Sequence, residues 1–372
     1  LQRKTVMRKT AAWPLAWIYT VLIVYASLYP FDNWRVQGIA PWAFLTAPLP
    51  KYWTGFDVLS NVLGYAPLGF LLALALHRTR RQWPGIWLAT LAAAGLSLSM
   101  ETLQMFLPVR VPSNVDAALN VAGALLGAVT ARALEWVGLL ERWSRFRDRW
   151  FVAEAGGALA LLAVWPMALL FPAPVAFGLG QVLERAEAAL AHWLEDSPML
   201  EWMPLREVEL QPLLPVSELL CVAMGVCLPC LLAFSVLRQR YQRFVLAGSI
   251  VVLGVGASAL SAALTYGPAH AWGWVSIEVA VGLAVAVVGT VVMAFAPARV
   301  CQVLALVALV WQLSLLNNAS ADAYFALTLQ TWEQGQFIRF HGLIQWLGWL
   351  WPYVALLYLV MRLSSAKPEN SA

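Results

Sequence analysis

The sequence predicts an all-α membrane protein, a polytopic transmembrane helical bundle of about ten spans with the N-terminus and C-terminus both cytoplasmic. Three observations carry that reading. Hydrophobic residues make up 61% of the 372 and charged residues 12%, where an ordinary soluble domain has about 45–50% and about 25%. The apolar residues gather into stretches close to the roughly 20 residues that cross a bilayer as a helix. Lysine and arginine fall unevenly between those stretches, as the positive-inside rule requires of a multi-pass protein. A mean hydropathy of +0.70 excludes a soluble enzyme, a disordered chain and a nucleic-acid reader. Twenty tryptophans suit a chain that crosses the headgroup zone many times.

In order, the stretches cover about residues 13–29, 58–76, 84–107, 117–139, 152–171, 214–237, 244–266, 272–295, 298–318 and 341–361, each ended by charge, Pro or Gly. The first follows Arg3, Lys4, Arg8 and Lys9 and mimics a signal peptide. It is long for a signal core and ends in no small-x-small site, so it reads as a retained helix. With the N-terminus inside, 18 of the 24 Lys and Arg fall on cytoplasmic segments and six on external ones. The first four spans (1–140) and the last six (141–372) then form two transmembrane regions. Two external segments are long. Residues 30–57 hold Trp34, Trp42 and Trp53 with four prolines and read as interfacial or re-entrant. Residues 173–212 carry seven acids, and Val182, Ala186, Ala189, Leu190 and Trp193 recur at helical spacing, which predicts an amphipathic helix on the outer surface. Inside, Arg142, Arg145, Arg147 and Arg149 alternate with Trp143, Phe146 and Trp150, an anchor at anionic lipid.

Ionisable groups within spans are costly and mark function, and they crowd the external ends of spans two to four. Asp57, Asn61, Gly64 and Leu68 share one face of span two. Ser97, Glu101 and Gln104 follow one another up span three, with Glu101 roughly 9 Å below its external end. The next loop holds Arg110, Ser113 and Asp116, and Asn120, Gly123 and Gly127 continue the Asp116 face down span four. The glycines predict close helix packing, and an Arg110–carboxylate pair would offset the cost of burial. The candidate headgroup- or substrate-binding residues are therefore Asp57, Asn61, Glu101, Gln104, Arg110, Ser113, Asp116 and Asn120. Three readings stay open for them: a polar clamp that locks helices together, a site for a polar headgroup or sugar, and an acid–base pair.

The order and spacing of Asp57, Asn61, Pro67, Gly69, Ser97, Glu101, Gln104, Arg110, Ser113, Asp116, Asn120, Gly123 and Gly127 resemble the VanZ-like family of bacterial integral membrane proteins, over about residues 15–138. Where many relatives carry a second acid in the loop, this chain has Ser113 and Val115. The family takes its name from a member linked to glycopeptide resistance. The resemblance therefore implies a bacterial cytoplasmic-membrane protein of the cell envelope, and no particular reaction.

In the second half, Glu218 lies near the external end of span six and Glu278 about a third of the way into span eight. Arg339 and His341 stand at the same external level, with His270. Glu218, Glu278, Arg339 and His341 are secondary candidates, with Glu278 expected to pair with Arg339 or a histidine, or to line a second outer pocket. Cys227 and Cys230 have redox-motif spacing but fall in mid-span, where they pack as free thiols. No cofactor or metal is expected, because no histidines share ligand spacing on one helix. The expected partners are membrane lipids and a lipid-linked or cell-wall component. The functional expectation is an accessory or binding protein of cell-envelope biogenesis or glycopeptide-type resistance. A transporter or flippase of a lipid-linked substrate, or a membrane enzyme using Glu101 and Asp116, is the alternative.

Overall fold

The computed structural model describes residues 12–29, 31–49, 55–77, 82–195, 197, 211–320 and 338–365. Among them the α-helices are α1 (Ala12–Leu28), α2 (Gly55–His77), α3 (Gln82–Gln104), α4 (Asn114–Trp136), α5 (Leu139–Trp150), α6 (Gly156–Ala168), α7 (Leu183–Trp193), α8 (Pro215–Phe234), α9 (Arg240–Tyr266), α10 (Ile277–Met293), α11 (Ala298–Asn317) and α12 (Ile338–Ser364). Among the described residues, the extended backbone pairs only in two isolated bridges, Phe151 with Leu237 and Gln211 with Ala319. The fold is all-α, as the apolar stretches predict. Seven helices among the described residues, α2, α3, α4, α8, α9, α11 and α12, are long and apolar enough to cross a membrane. α1, α6 and α10 are apolar but shorter, at 17, 13 and 17 residues. Outer helix faces stay apolar: Val252 of α9 is 72% exposed and Val288 of α10 65%, which suits lipid and not water as the surrounding solvent.

The chain divides into two compact units, Leu1–Phe146 and Arg147–Ala372. In the first, α2 packs along α4, and α3 lies against both, with α1 on α2 and α3. The α2–α4 seam is closed by small residues. A Cβ at Gly69 would strike the backbone of Ala124, one at Gly123 the backbone of Val62, and one at Gly127 the backbone of Ala66 and Phe70. Apolar side chains gain nothing by leaving lipid, so helices in a membrane associate through such close backbone approach.

The second unit is built around α8, which packs on α6, α9, α10 and α11. Two-thirds of its apolar window (67%) is buried, against 28% for α9 and 39% for α11. Cys221, Cys227, Cys230 and Cys301 are free thiols in this core. Its C-terminal helix ends are covered by arginine. Buried Arg243 donates to the carbonyls of Ala294 and Ala296 just past α10, and Arg238 Nε donates to Phe151 O at 2.8 Å.

Three expectations are corrected. Glu278 does not lie a third of the way into a span, because α10 begins at Ile277 and Ser276 caps it. In the first turn, a carboxylate meets the positive end of the helix dipole. Glu101 is closer to the helix end than the sequence suggests, since α3 stops at Gln104 and turns follow. The start of residues 173–212, expected on the external surface, is instead core at 175–180: Val175, Phe177 and Leu179 are all buried. The helix expected beyond them forms as α7, with Trp193 79% exposed. The basic–aromatic run at 142–150 is also helical, within α5, and Trp143 stacks on Phe146 at 5.6 Å.

Candidate functional site

The sequence places polar residues at one-turn intervals on three helices, and the first unit brings them together in rungs. Asn61 Nδ2 donates to Asp116 Oδ1 at 2.9 Å, joining α2 to α4. One turn along α4, about 6 Å deeper, Asn120 Nδ2 donates to Ser97 Oγ at 3.0 Å, joining α4 to α3. One turn along α3 from Ser97 sits Glu101, 4% exposed, whose Oε2 accepts the Ser113 backbone N–H at 2.9 Å. That bond has a physical logic. A carboxylate in the last turn of α3 is disfavoured by the negative end of the helix dipole. The first backbone donors at the start of α4 offset this, because they are otherwise without partners. Ser113 also caps α4 through its hydroxyl, which accepts from the N–H groups of Val115 and Asp116.

Arg110 and Gln104 act at the end of α1. The Arg110 guanidinium donates to Tyr29 O at 2.6 Å and Ala26 O at 3.2 Å, and Gln104 Nε2 donates to Ser27 O at 2.8 Å. These are carbonyls that the end of a helix leaves unpaired. Asp57, Glu101, Arg110 and Asp116 each take part in a further interaction. Asp57 itself stands in the first turn of α2. The loop of residues 31–49 is tied to the same end: Arg35 N donates to Phe106 O, Gln37 Nε2 to Met105 O, and Asn114 Nδ2 to Ala47 O. Trp34 and Trp42 in this loop are exposed, as expected of rings at a headgroup level. Trp53 lies outside the described residues.

Sequence reasoning missed Tyr65. Its hydroxyl is buried and reaches no hydrogen-bond partner, and so is Asn120 Oδ1. Ser97 is near enough to act on the Tyr65 hydroxyl as a weak hydrogen-bonding neighbour, short of a bond of good geometry, and Glu101 lies close by. The signal was present, since Tyr65 follows Asn61 by one turn of α2 and so shares its face. Most buried polar atoms in a protein are paired. Tyr65 OH and Asn120 Oδ1 are two that are not, a donor and an acceptor in one cluster, and Tyr65 lies near its most deeply buried carboxylate.

The secondary candidates belong to the second unit. Glu218, in the first turn of α8, lines a cavity of about 530 Å³, and so do His270 and Ser276. Glu278 is close enough to Glu218 for the two charges to interact. Arg339 and His341 begin α12, and their side chains lie outside the described residues.

Comparison with known proteins gives one family. The family model VanZ/LLP1 matches residues 10–135, the stretch that holds α1 to α4 up to its last turn and every member of the polar cluster. No curated protein and no solved structure matches the chain.

Proposed function

We propose, from the premise that residues 10–135 are a VanZ-like membrane region, that their polar cluster binds a hydroxylated lipid headgroup, glycerol or sugar, at the outer leaflet. The role is accessory and not catalytic, in cell-envelope biogenesis at a bacterial cytoplasmic membrane. One observation carries this reading: Tyr65 OH, near Glu101, and Asn120 Oδ1, whose amide bonds Ser97 in the same cluster, are buried without partners. A ligand hydroxyl both donates and accepts, so it completes such a pair, and an unmet buried polar group costs about 1–3 kcal/mol until it is completed. The charge count supports the outer location, with Arg110 on the sparsely basic side. The exposed tryptophans at this end support it too.

The test uses the full chain in mixed micelles with phosphatidylglycerol, a glucosyl-diacylglycerol, or neither. Both lipids should raise the melting temperature of the wild type, because a ligand that binds only the folded state stabilises it. Tyr65→Phe removes a hydroxyl that has no partner, so the lipid-free variant should be at least as stable as wild type. It should lose most of the lipid-dependent shift. A Tyr65→Phe variant that keeps the whole shift would sink the reading. A variant destabilised by more than about 1 kcal/mol without lipid would make the hydroxyl structural.

A further inference from the structure

The cavity of about 530 Å³ in the second unit lies outside the matched region and has a chemistry of its own. Its wall is made by the irregular segment after α6, the first turn of α8, the last turns of α9, and the loop that leads into α10. The volume is within the roughly 300–1,000 Å³ of small-molecule sites.

Three of the side-chain donors around it, Ser261, Thr265 and Trp274, are already engaged with the protein, while Ser258, Tyr266 and His270 also line it. Ser261 Oγ donates to Leu170 O at 2.9 Å, and Thr265 Oγ1 to Ser261 O at 2.7 Å. The Trp274 indole N–H donates to Ala271 O at 3.0 Å. Ser276 Oγ is turned to the N–H of Val279 as the cap of α10. What distinguishes the wall for an incoming molecule is its negative charge and its aromatic rings. Glu218 supplies a carboxylate, and Glu278 adds a second negative charge close by. Among the described residues that line it, none is Lys or Arg. Phe177 and Trp274 meet edge to face at 5.8 Å in this wall, with Phe171 beside them.

A negative group beside aromatic rings is matched by a ligand with positive charge and donors or methyl groups of its own. The remaining lining, Leu169, Pro172 and Ala262 among it, is apolar. We infer that this cavity is a binding site for an organic ammonium with an apolar tail, its cationic head against Glu218 and its side against Trp274 and Phe177. Such a head is carried by an aminolipid and by a free amphiphilic amine alike. The inference is independent of the headgroup reading for the first unit, whose residues it does not use.

The probe is dodecyltrimethylammonium, titrated calorimetrically into the full chain held in nanodiscs of phosphatidylglycerol. Dodecyl maltoside serves as the neutral control of equal tail length. The ammonium should bind saturably and the maltoside should not compete. Equal competition by the maltoside would overturn the assignment, and this arm needs no variant. Glu218→Gln keeps the shape and removes the charge, so it should weaken ammonium binding by about ten-fold or more, with the melting temperature unchanged. Unaltered affinity in that variant would also overturn it. Two further arms separate the sources. Displacement of the probe when phosphatidylethanolamine is added to the nanodisc identifies a lipid head, and displacement by free tetraethylammonium alone identifies a soluble cation. If neither displaces the probe, the site does not recognise ammonium and the proposal falls.

Discussion

In the first unit the buried polar side chains sit on regular helices that touch through glycine, whereas in the second they hold up irregular backbone. Asn61, Asn120, Ser97 and Glu101 reach across seams between α2, α3 and α4, and those seams are tight because Gly69, Gly123 and Gly127 leave no room for a side chain. In the second unit the chain between α6 and α7 runs through the core without a helix. Gln312 donates to Phe177 O and Cys221 O at 3.2 and 3.1 Å, and Asn317 Nδ2 to Gly180 O at 3.0 Å. Gly180 N–H in turn donates to Gly348 O. Backbone away from water must be satisfied by something. A helix satisfies itself, so its polar side chains are available for a cluster. An irregular stretch consumes the side chains around it, and where it bends away from the helices it leaves a cavity. Arginine serves both units alike, as Arg110 covers the end of α1 and Arg243 the end of α10.

The largest effect should come from prying open the glycine seam. Gly127→Leu places a side chain against the backbone of Ala66 and Phe70, which rigid helices cannot vacate. Loss of stability above about 4 kcal/mol is expected, read as absence of a folded monodisperse peak in detergent. Gly248→Leu, at a glycine with open space around it, should fold normally; a folded Gly127→Leu would show that the first unit does not depend on close packing.

The comparison is sharpened by removing one amide from each unit. Gln312→Leu leaves two carbonyls in the core without their donor, at a cost of about 2–3 kcal/mol. Asn61→Ala breaks one half-buried bond to Asp116 and should cost about 1 kcal/mol. Chemical denaturation of both variants in the same micelle reads the order. Equal losses would mean that the irregular segment does not rely on its side-chain donors.

The smallest effect belongs to Ser113→Ala. It removes the cap of α4 but leaves the backbone N–H that Glu101 accepts, so about 1 kcal/mol should be lost. A loss several times larger would mean that the hydroxyl holds more of the cluster than the first turn of α4.

Much of the membrane architecture is legible in the sequence, because the length of an apolar stretch and its polar ends are local properties. The ten stretches all fall on helices, though three of those helices are short. Composition also marks the polar faces of α2, α3 and α4, since helical spacing alone puts Asp57 with Asn61 and Asp116 with Asn120 on common faces. The family resemblance rests on those same residues, and the VanZ/LLP1 match covers them. Helix periodicity did not reveal where α3 and α10 end or begin. Leu107 is apolar beyond the last turn of α3, and Trp272 and Val275 are apolar before the first turn of α10, so hydropathy runs past each boundary.

Partners are what tertiary structure alone decides. The sequence offers Gln104 and Arg110 to any acceptor, and folding commits part of each to carbonyls of α1 some eighty residues away. Tyr65 is one aromatic among many in the sequence, and only burial beside Ser97 and Glu101 gives its hydroxyl a meaning. Residues 175–180 read as surface because they open the acid-rich stretch 173–212. They are core because Gln312 and Asn317, more than 130 positions later, supply the hydrogen bonds that water would otherwise provide. Local pattern fixes what a segment needs, a hydrogen bond or an apolar neighbour. Which distant group meets that need depends on contacts that no window of sequence contains.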